Sequence, residues 1–129
     1  MNLKAIALAA LLGVSGPAIA DLTRNLPAAA QFNAPLATFD DGEWSVTIDY
    51  YNNAYTYFGR NMRTGSTLTL RGASVTGTPQ RRLYTWRNGD YTYQVAWRPN
   101  DPRFVRLQVF DPRGQEVLNR LLRQGNAYD

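Results

Sequence analysis

Cysteine and histidine are both absent from this 129-residue sequence. The main side chains left for catalysis or binding are those of the arginines, the acidic residues and the aromatic residues. The absence of cysteine and histidine excludes disulfides, Cys–His and Ser–His–Asp catalysis, zinc or copper sites built on histidine, and haem bound through histidine. Paired carboxylates for glycoside hydrolysis stay open, although nothing in the sequence selects two of the ten acidic residues. The sequence therefore predicts a non-catalytic protein without a cofactor or a metal.

Aromatic residues are concentrated between residues 83 and 97, which read LYTWRNGDYTYQVAW. Asn88-Gly89 between alternating runs is a strong signal for a two-residue hairpin turn, and such a turn pairs Trp86 with Tyr91. One face of the hairpin then carries a row of apolar side chains: Tyr84, Trp86, Tyr91, Tyr93, Val95 and Trp97.

Two interpretations of this aromatic face are open. Exposed rings would stack against sugar rings or another flat ligand, whereas buried rings would form the core, and the polar opposite face favours the core. The ligand-binding hypothesis depends on six residues of the hairpin and its flank: Tyr84, Trp86, Arg87, Tyr91, Trp97 and Arg98.

Arginines surround the same hairpin, and a cationic patch for phosphate or carboxylate groups could form from Arg81, Arg82, Arg87 and Arg98. Their alternation onto different faces favours a solvated surface instead.

The net charge of the chain is small. If residues 1–20, which contain Lys4, are removed as a signal peptide, 13 arginines and ten acidic residues remain, a net charge of +3. So small a surplus argues against a nucleic-acid partner and permits only weak attraction to anionic envelope polymers or lipid headgroups.

Acidic residues cluster in the segment Asp40-Asp41-Gly42-Glu43, a spacing that invites comparison with a calcium loop. An EF-hand counted from Asp40 needs oxygen ligands at its third, fifth and twelfth positions. Those positions hold Gly42, Trp44 and Tyr51, so the motif fails. We interpret the segment as a turn with solvated carboxylates.

The first twenty residues have the layout of a secretory signal peptide. Lys4 precedes an uncharged apolar run, and Ala18-Ile19-Ala20 gives the small residues that signal peptidase requires, so we predict cleavage before Asp21. The apolar run is too short to span a bilayer, and no transmembrane segment follows it. We therefore expect export to the periplasm or the extracellular space, with residues 21–38 as a flexible segment before a single β domain at residues 39–125.

Period-two alternation runs through that domain, beginning with Trp44, Val46, Ile48 and Tyr50. Asn52-Asn53 indicates a turn, and further strands are predicted at residues 54–60, 66–71 and 104–110. For residues 111–124 two structures compete: a final strand, or a short C-terminal helix capped by Asp111. Gly114 favours the strand. About six to seven short strands built from hairpins predict an all-β fold, a small antiparallel sandwich or barrel.

Residues 84–122, YTWRNGDYTYQVAWRPNDPRFVRLQVFDPRGQEVLNRLL, resemble a group of small exported β-rich proteins known mainly from photosynthetic bacteria. The shared features are the aromatic hairpin, a W-x-P-x-D-P turn, an R-L-x-V strand and a terminal L-N-x-x-L, and upstream YTYFGRNMRTGSTLTLRG is similar to the same group. This resemblance implies export and an all-β domain, and it supplies no activity and no site residues.

Three functional hypotheses follow. The first is an exported, non-catalytic β-domain that binds an envelope polymer such as a glycan, a small ligand or an envelope protein. The second is a periplasmic inhibitor or accessory protein that acts through a loop such as residues 99–103. The third is a carboxylate-dependent hydrolase, which requires two acidic residues to meet in a cleft.

Overall fold

The computed structural model describes residues 33–125, and this part of the chain contains nine β-strands and no helix. The predictions for residues 1–20, and for residues 21–32 of the expected flexible segment, lie outside the described residues. Nowhere in the described part is there a helix long and apolar enough to cross a membrane. The strands are β1 (Thr38–Asp40), β2 (Trp44–Tyr51), β3 (Ala54–Asn61), β4 (Thr67–Arg71), β5 (Ser74–Thr78), β6 (Arg81–Asn88), β7 (Tyr91–Trp97), β8 (Phe104–Phe110) and β9 (Glu116–Gln124).

All nine strands belong to one antiparallel sheet with the order β4-β3-β2-β1-β9-β8-β7-β6-β5. β1 pairs with both β2 and β9 and thereby joins the first strands to the last. The continuous sheet curls into a half-barrel. The prediction of an all-β antiparallel fold is confirmed, but the expected sandwich or barrel of six to seven strands is wrong in detail. β1 is too short to show a period, and the five exposed residues of β5 carry no apolar alternation.

The C-terminal segment is strand β9, so the alternative of a short helix is wrong. Gly114 has a φ of +81°, which makes the β8–β9 connection a tight turn instead of a first helical turn. Leu118 then pairs with Val109 and Leu122 with Val105. A register shift between Val109 and Phe110 leaves Val117 without a cross-strand partner on β8, and its side chain is exposed.

The β6–β7 hairpin exists, but its register is two residues from the predicted one. Trp86 pairs with Tyr93, and the turn residues are Gly89 and Asp90. Gly89 has a φ of +61° and Asp90 has no positive φ, an arrangement typical of a type II′ turn with glycine first. Because the shift is even, every side chain keeps its predicted face.

The inner face of the half-barrel is apolar and carries most of the core. Trp86 of β6 crosses this interior and donates a hydrogen bond from Nε1 to the Tyr55 carbonyl of β3 at 3.0 Å. Tyr57 lies beside Trp86, with ring centroids 5.4 Å apart, although β3 and β6 are not neighbours in the sheet. The remaining buried apolar residues of this face include Phe39, Val46, Ile48, Val95, Leu107 and Leu122.

The acidic segment after β1 is a turn, as predicted, but its carboxylates are not simply solvated. Asp41 accepts backbone hydrogen bonds from Glu43 and Trp44 and a 2.7 Å bond from Arg120 Nε of β9. Partial desolvation by itself raises the pKa of Asp41, but these N–H groups and the Arg120 charge outweigh it and lower the pKa below its ordinary value of 3.8. The turn is therefore fastened to the last strand by charge.

This lowered pKa predicts a pH dependence of stability. The ionised form of Asp41 stabilises the fold above its ordinary pKa of 3.8, and the contribution disappears as the pH falls through the folded-state pKa. Asp41→Asn is expected to lower the free energy of unfolding by about 0.5–1 kcal/mol at pH 7 and to have a smaller effect near pH 2.5, where more of the carboxyl is protonated. Urea unfolding of both proteins at the two pH values measures this difference, and an equal deficit at both would contradict it.

Candidate functional site

Three of the four rings of the predicted ligand-binding set lie in the core. Tyr84, Trp86 and Trp97 are 0%, 1% and 2% exposed, respectively. The Tyr84 hydroxyl accepts a 3.2 Å hydrogen bond from Arg82 Nε, and Trp97 Nε1 donates a 3.1 Å bond to the Pro102 carbonyl. Their polar atoms are thus engaged within the protein, and these three rings present no surface to a ligand.

Tyrosines of the inner face are also committed to packing. Burial is the main cause that raises the pKa of Tyr55 and Tyr57 above the ordinary tyrosine value, and the neighbouring phenols raise it further. Burial also raises the pKa of Tyr84. Tyr55 lies with its ring centroid 5.0 Å from that of Tyr84, edge to face. These phenols remain neutral across the physiological range and stabilise the interior through ring contacts.

The other three predicted residues are exposed, and they are divided between the two ends of the hairpin. Arg87 is near the tip of the β6–β7 hairpin on the outer face, opposite Thr92. Tyr91 is 43% exposed and pairs with Asn88 at the same tip. Arg98 follows β7 at the far end of the hairpin. The six residues therefore do not form one binding surface, although Arg98 belongs to another.

That surface is a cleft of about 180 Å³ at the end of the sheet where β6 and β8 begin and β7 and β9 end. Its polar lining consists of three arginines and one carboxylate, and its apolar lining includes an aromatic ring: Arg81, Arg98, Arg106, Asp101, Ala96, Phe104, Val105 and Leu121. We call this site the arginine cleft.

Strand register explains why these residues meet. Arg106 of β8 lies between Ala96 of β7 and Leu121 of β9, and all three side chains are on the outer face. Phe104 lies two residues from Arg106 on the same strand and therefore on the same face. Small and apolar neighbours thus form a floor beside the guanidinium groups.

The loop between β7 and β8 closes the end of the arginine cleft and is held by hydrogen bonds. Besides the Trp97 bond to Pro102, the Gln124 amide donates to the Arg103 carbonyl at 2.7 Å. A turn bond joins the Asp101 amide to the Arg98 carbonyl at 2.9 Å. The lining residues Arg98 and Asp101 therefore sit on a loop that is anchored at both ends.

The arginine cleft is electrostatically positive. Among the described residues, Arg81, Arg98 and Arg106 form no ion pair, whereas Arg63 and Arg120 are both paired with carboxylates. Arg106 donates one hydrogen bond from Nη1 to Asn119 Oδ1 at 2.6 Å, which orients its guanidinium without neutralising it. Three positive groups therefore face a single carboxylate, that of Asp101.

The predicted cationic patch is only partly reproduced by the structure. Arg81 and Arg98 come together at the arginine cleft, whereas Arg82 turns to the inner face and Arg87 lies at the hairpin tip. Arg106 and Phe104 were missed as site residues. The alternation of the 104–110 strand does place them on its polar face, but only its pairing with both neighbouring strands brings them to Arg98.

The carboxylates in the described part of the chain form no further candidate metal or catalytic site. No group of three or more acidic, histidine or cysteine side chains there could hold a metal ion. Asp41 and Glu43 do converge, but on the guanidinium of Arg120.

Comparisons of this chain with protein-family models, with curated proteins and with solved structures found no match.

Proposed function

We propose that this chain is an exported, non-catalytic binding module that recognises an acidic polysaccharide of the cell envelope through the arginine cleft. The proposal rests on the guanidinium groups of Arg81, Arg98 and Arg106. These groups form no ion pair within the described residues, and they lie beside the apolar floor of the cleft. The export part of the proposal rests on the signal-peptide pattern of residues 1–20.

A carboxylate-bearing sugar suits this chemistry better than a free phosphate does. Guanidinium groups form forked, paired hydrogen bonds with planar carboxylates. The Phe104 ring, which is half-buried, gives an apolar surface for the C–H face of a sugar. Asp101 adds a hydrogen-bond acceptor for sugar hydroxyls, and its negative charge disfavours a dianion.

The size of the arginine cleft points to recognition of part of a polymer. Its volume of about 180 Å³ is below the roughly 300–1,000 Å³ of pockets that enclose a drug-sized ligand. A single sugar unit fits such a space, and the cleft lies on the outer face, where a chain can continue beyond it. A polymer then gains affinity from several such contacts along its length.

The two other hypotheses receive less support from the geometry. Asp101 is the only carboxylate of the arginine cleft, whereas glycoside hydrolysis requires a pair. An inhibitory loop at residues 99–103 would need an extended backbone to enter a protease, but these residues form turns and the carbonyls of Pro102 and Arg103 are already bonded. Binding of an acidic sugar requires neither a second acid nor a rearranged loop.

Calorimetric titration with a hyaluronan tetrasaccharide, which alternates glucuronate with N-acetylglucosamine, tests the proposal. The matched control is the same tetrasaccharide with its carboxylates reduced to alcohols. We expect the acidic form to bind at least about 10-fold more tightly, since a charge-assisted hydrogen bond contributes about 1.5–3 kcal/mol. We also expect added salt to weaken binding.

Equal affinity for the two tetrasaccharides would overturn the role of the carboxylate. Failure of the acidic form to bind at any salt concentration would overturn the proposed function itself.

A further inference from the structure

Beside the arginine cleft, the outer face of the sheet carries a transverse row of uncharged polar side chains. Gln94 of β7 faces Thr85 of β6 on one side and Gln108 of β8 on the other, and Gln108 faces Asn119 of β9. We call Gln94, Gln108 and Asn119 the amide ladder. Cross-strand neighbours in such a row lie about 4.8 Å apart, so the amide ladder spans about 10 Å.

The amides of this ladder are held by one another and by a single carboxylate. Gln94 Nε2 donates to Gln108 Oε1 at 3.2 Å, and Gln108 Nε2 donates to Glu116 Oε2 at 2.7 Å. Asn119 Nδ2 donates to Glu116 Oε1 at 3.2 Å. Because these bonds fix the side-chain conformations, a ligand would meet the amides already ordered.

Hydrogen-bonding capacity remains on the amide ladder after these internal bonds are counted. Gln94 Oε1 accepts no hydrogen bond from any residue that the structure describes, and each primary amide has two N–H donors. Gln94 and Gln108 are only half-buried, so solvent or a ligand reaches them. A surface that offers both neutral donors and neutral acceptors matches sugar hydroxyls, which also act as both.

Arg106 joins the amide ladder to the arginine cleft. Its side chain lines the cleft, and its Nη1 donates to Asn119 Oδ1 at 2.6 Å. Arg106 and Gln108 lie two residues apart on the outer face of β8, a separation of about 6.8 Å along the strand. That distance is close to the length of one sugar unit, so adjacent units of one chain can occupy both places.

We infer that the amide ladder is a second subsite, which binds the hydroxyl groups of a neutral sugar next to the acidic sugar in the arginine cleft. This inference rests on the proposed function and narrows it to polysaccharides in which acidic and neutral units adjoin. A polymer charged at every unit fits less well, because the amide ladder carries no cation and Glu116 adds a negative charge beside it.

The test compares methyl glucuronide, which can fill only the arginine cleft, with the hyaluronan tetrasaccharide, which can reach the amide ladder. For the unaltered protein we expect the tetrasaccharide to bind about 10-fold more tightly. In the double variant Gln94→Ala/Gln108→Ala this gain should fall to about 2-fold or less, while the affinity for methyl glucuronide stays within about 2-fold. Thr47→Ala, on the outer face of β2, is the control and should change neither affinity.

The possible outcomes separate the two claims. If the double variant keeps the full gain for the tetrasaccharide, or if the unaltered protein shows no gain, the second subsite is overturned while the arginine cleft stands. If methyl glucuronide and the tetrasaccharide both fail to bind the unaltered protein, the proposed function is overturned. Tighter binding of polyphosphate or of an oligoaspartate peptide than of the tetrasaccharide would overturn the choice of polysaccharide.

Discussion

Replacement of Trp86 by alanine is expected to lower the free energy of unfolding by about 3–5 kcal/mol, a large part of the total stability of a small domain. Trp86 is 1% exposed, and it joins two strands that are not neighbours in the sheet. The substitution removes its contact with Tyr57 and its hydrogen bond to the Tyr55 carbonyl. Urea unfolding followed by far-ultraviolet circular dichroism measures the loss.

Two further variants separate burial from the hydrogen bond. Trp86→Phe keeps an aromatic ring but loses the N–H donor, and a smaller loss of about 1–2 kcal/mol is expected because the Tyr55 carbonyl still accepts a bond from the Gly72 amide. Tyr51→Ala removes an aromatic side chain that is 68% exposed and should change stability by no more than about 0.5 kcal/mol. A loss below about 1 kcal/mol for Trp86→Ala would contradict its role as the link across the half-barrel.

Replacement of Arg98 by glutamine is expected to weaken binding of the hyaluronan tetrasaccharide by about 10- to 100-fold. Arg98 lines the arginine cleft and forms no ion pair within the described residues, so its guanidinium is available for a carboxylate. Because the side chain is exposed, stability should change by no more than about 0.5 kcal/mol. Calorimetric titration gives the affinity, and urea unfolding confirms that the fold is unchanged.

Arg87→Gln is the matched control for this prediction. Arg87 belongs to the same hairpin and is also exposed, but it lies at the opposite end from the arginine cleft. Both variants remove one positive charge, so a general effect of net charge would weaken binding equally in the two. An equal loss in Arg87→Gln and Arg98→Gln would assign the binding to overall charge and not to the arginine cleft.

Much of the fold could be predicted from side-chain alternation. The residues of β2, β3 and β8 alternate clearly, since one face of each is buried against the core and the other is exposed or half-buried. β1 was not predicted as a strand, because it has only three residues. Residues 73–80 were predicted as a connection that could hold a short strand around Val75, because β5 is an exposed edge without a buried face. The register of the β6–β7 hairpin was also predicted wrongly, because Gly89 allows either Asn88-Gly89 or Gly89-Asp90 to form the turn.

The candidate site was less predictable than the fold. The aromatic face of the β6–β7 hairpin had two interpretations, and the burial of Tyr84, Trp86 and Trp97 decides for the core at these positions. Only Arg98 of the six predicted residues lines the arginine cleft. Arg106 could be placed on a polar face by its strand alternation, but its proximity to Arg98 depends on the β7–β8 pairing and on the anchored loop, which a single sequence does not specify.

Recognition at the arginine cleft is tested most directly by an NMR titration that observes the arginine Nε–H groups of the ¹⁵N-labelled protein while the hyaluronan tetrasaccharide is added. We predict that the Nε signals of Arg81, Arg98 and Arg106 shift together and saturate with one dissociation constant. The signals of Arg87 and of Arg120, which is paired with Asp41, should remain in place. Saturable binding that leaves the three cleft signals unmoved, or that shifts the Arg87 signal equally, would contradict recognition at the arginine cleft.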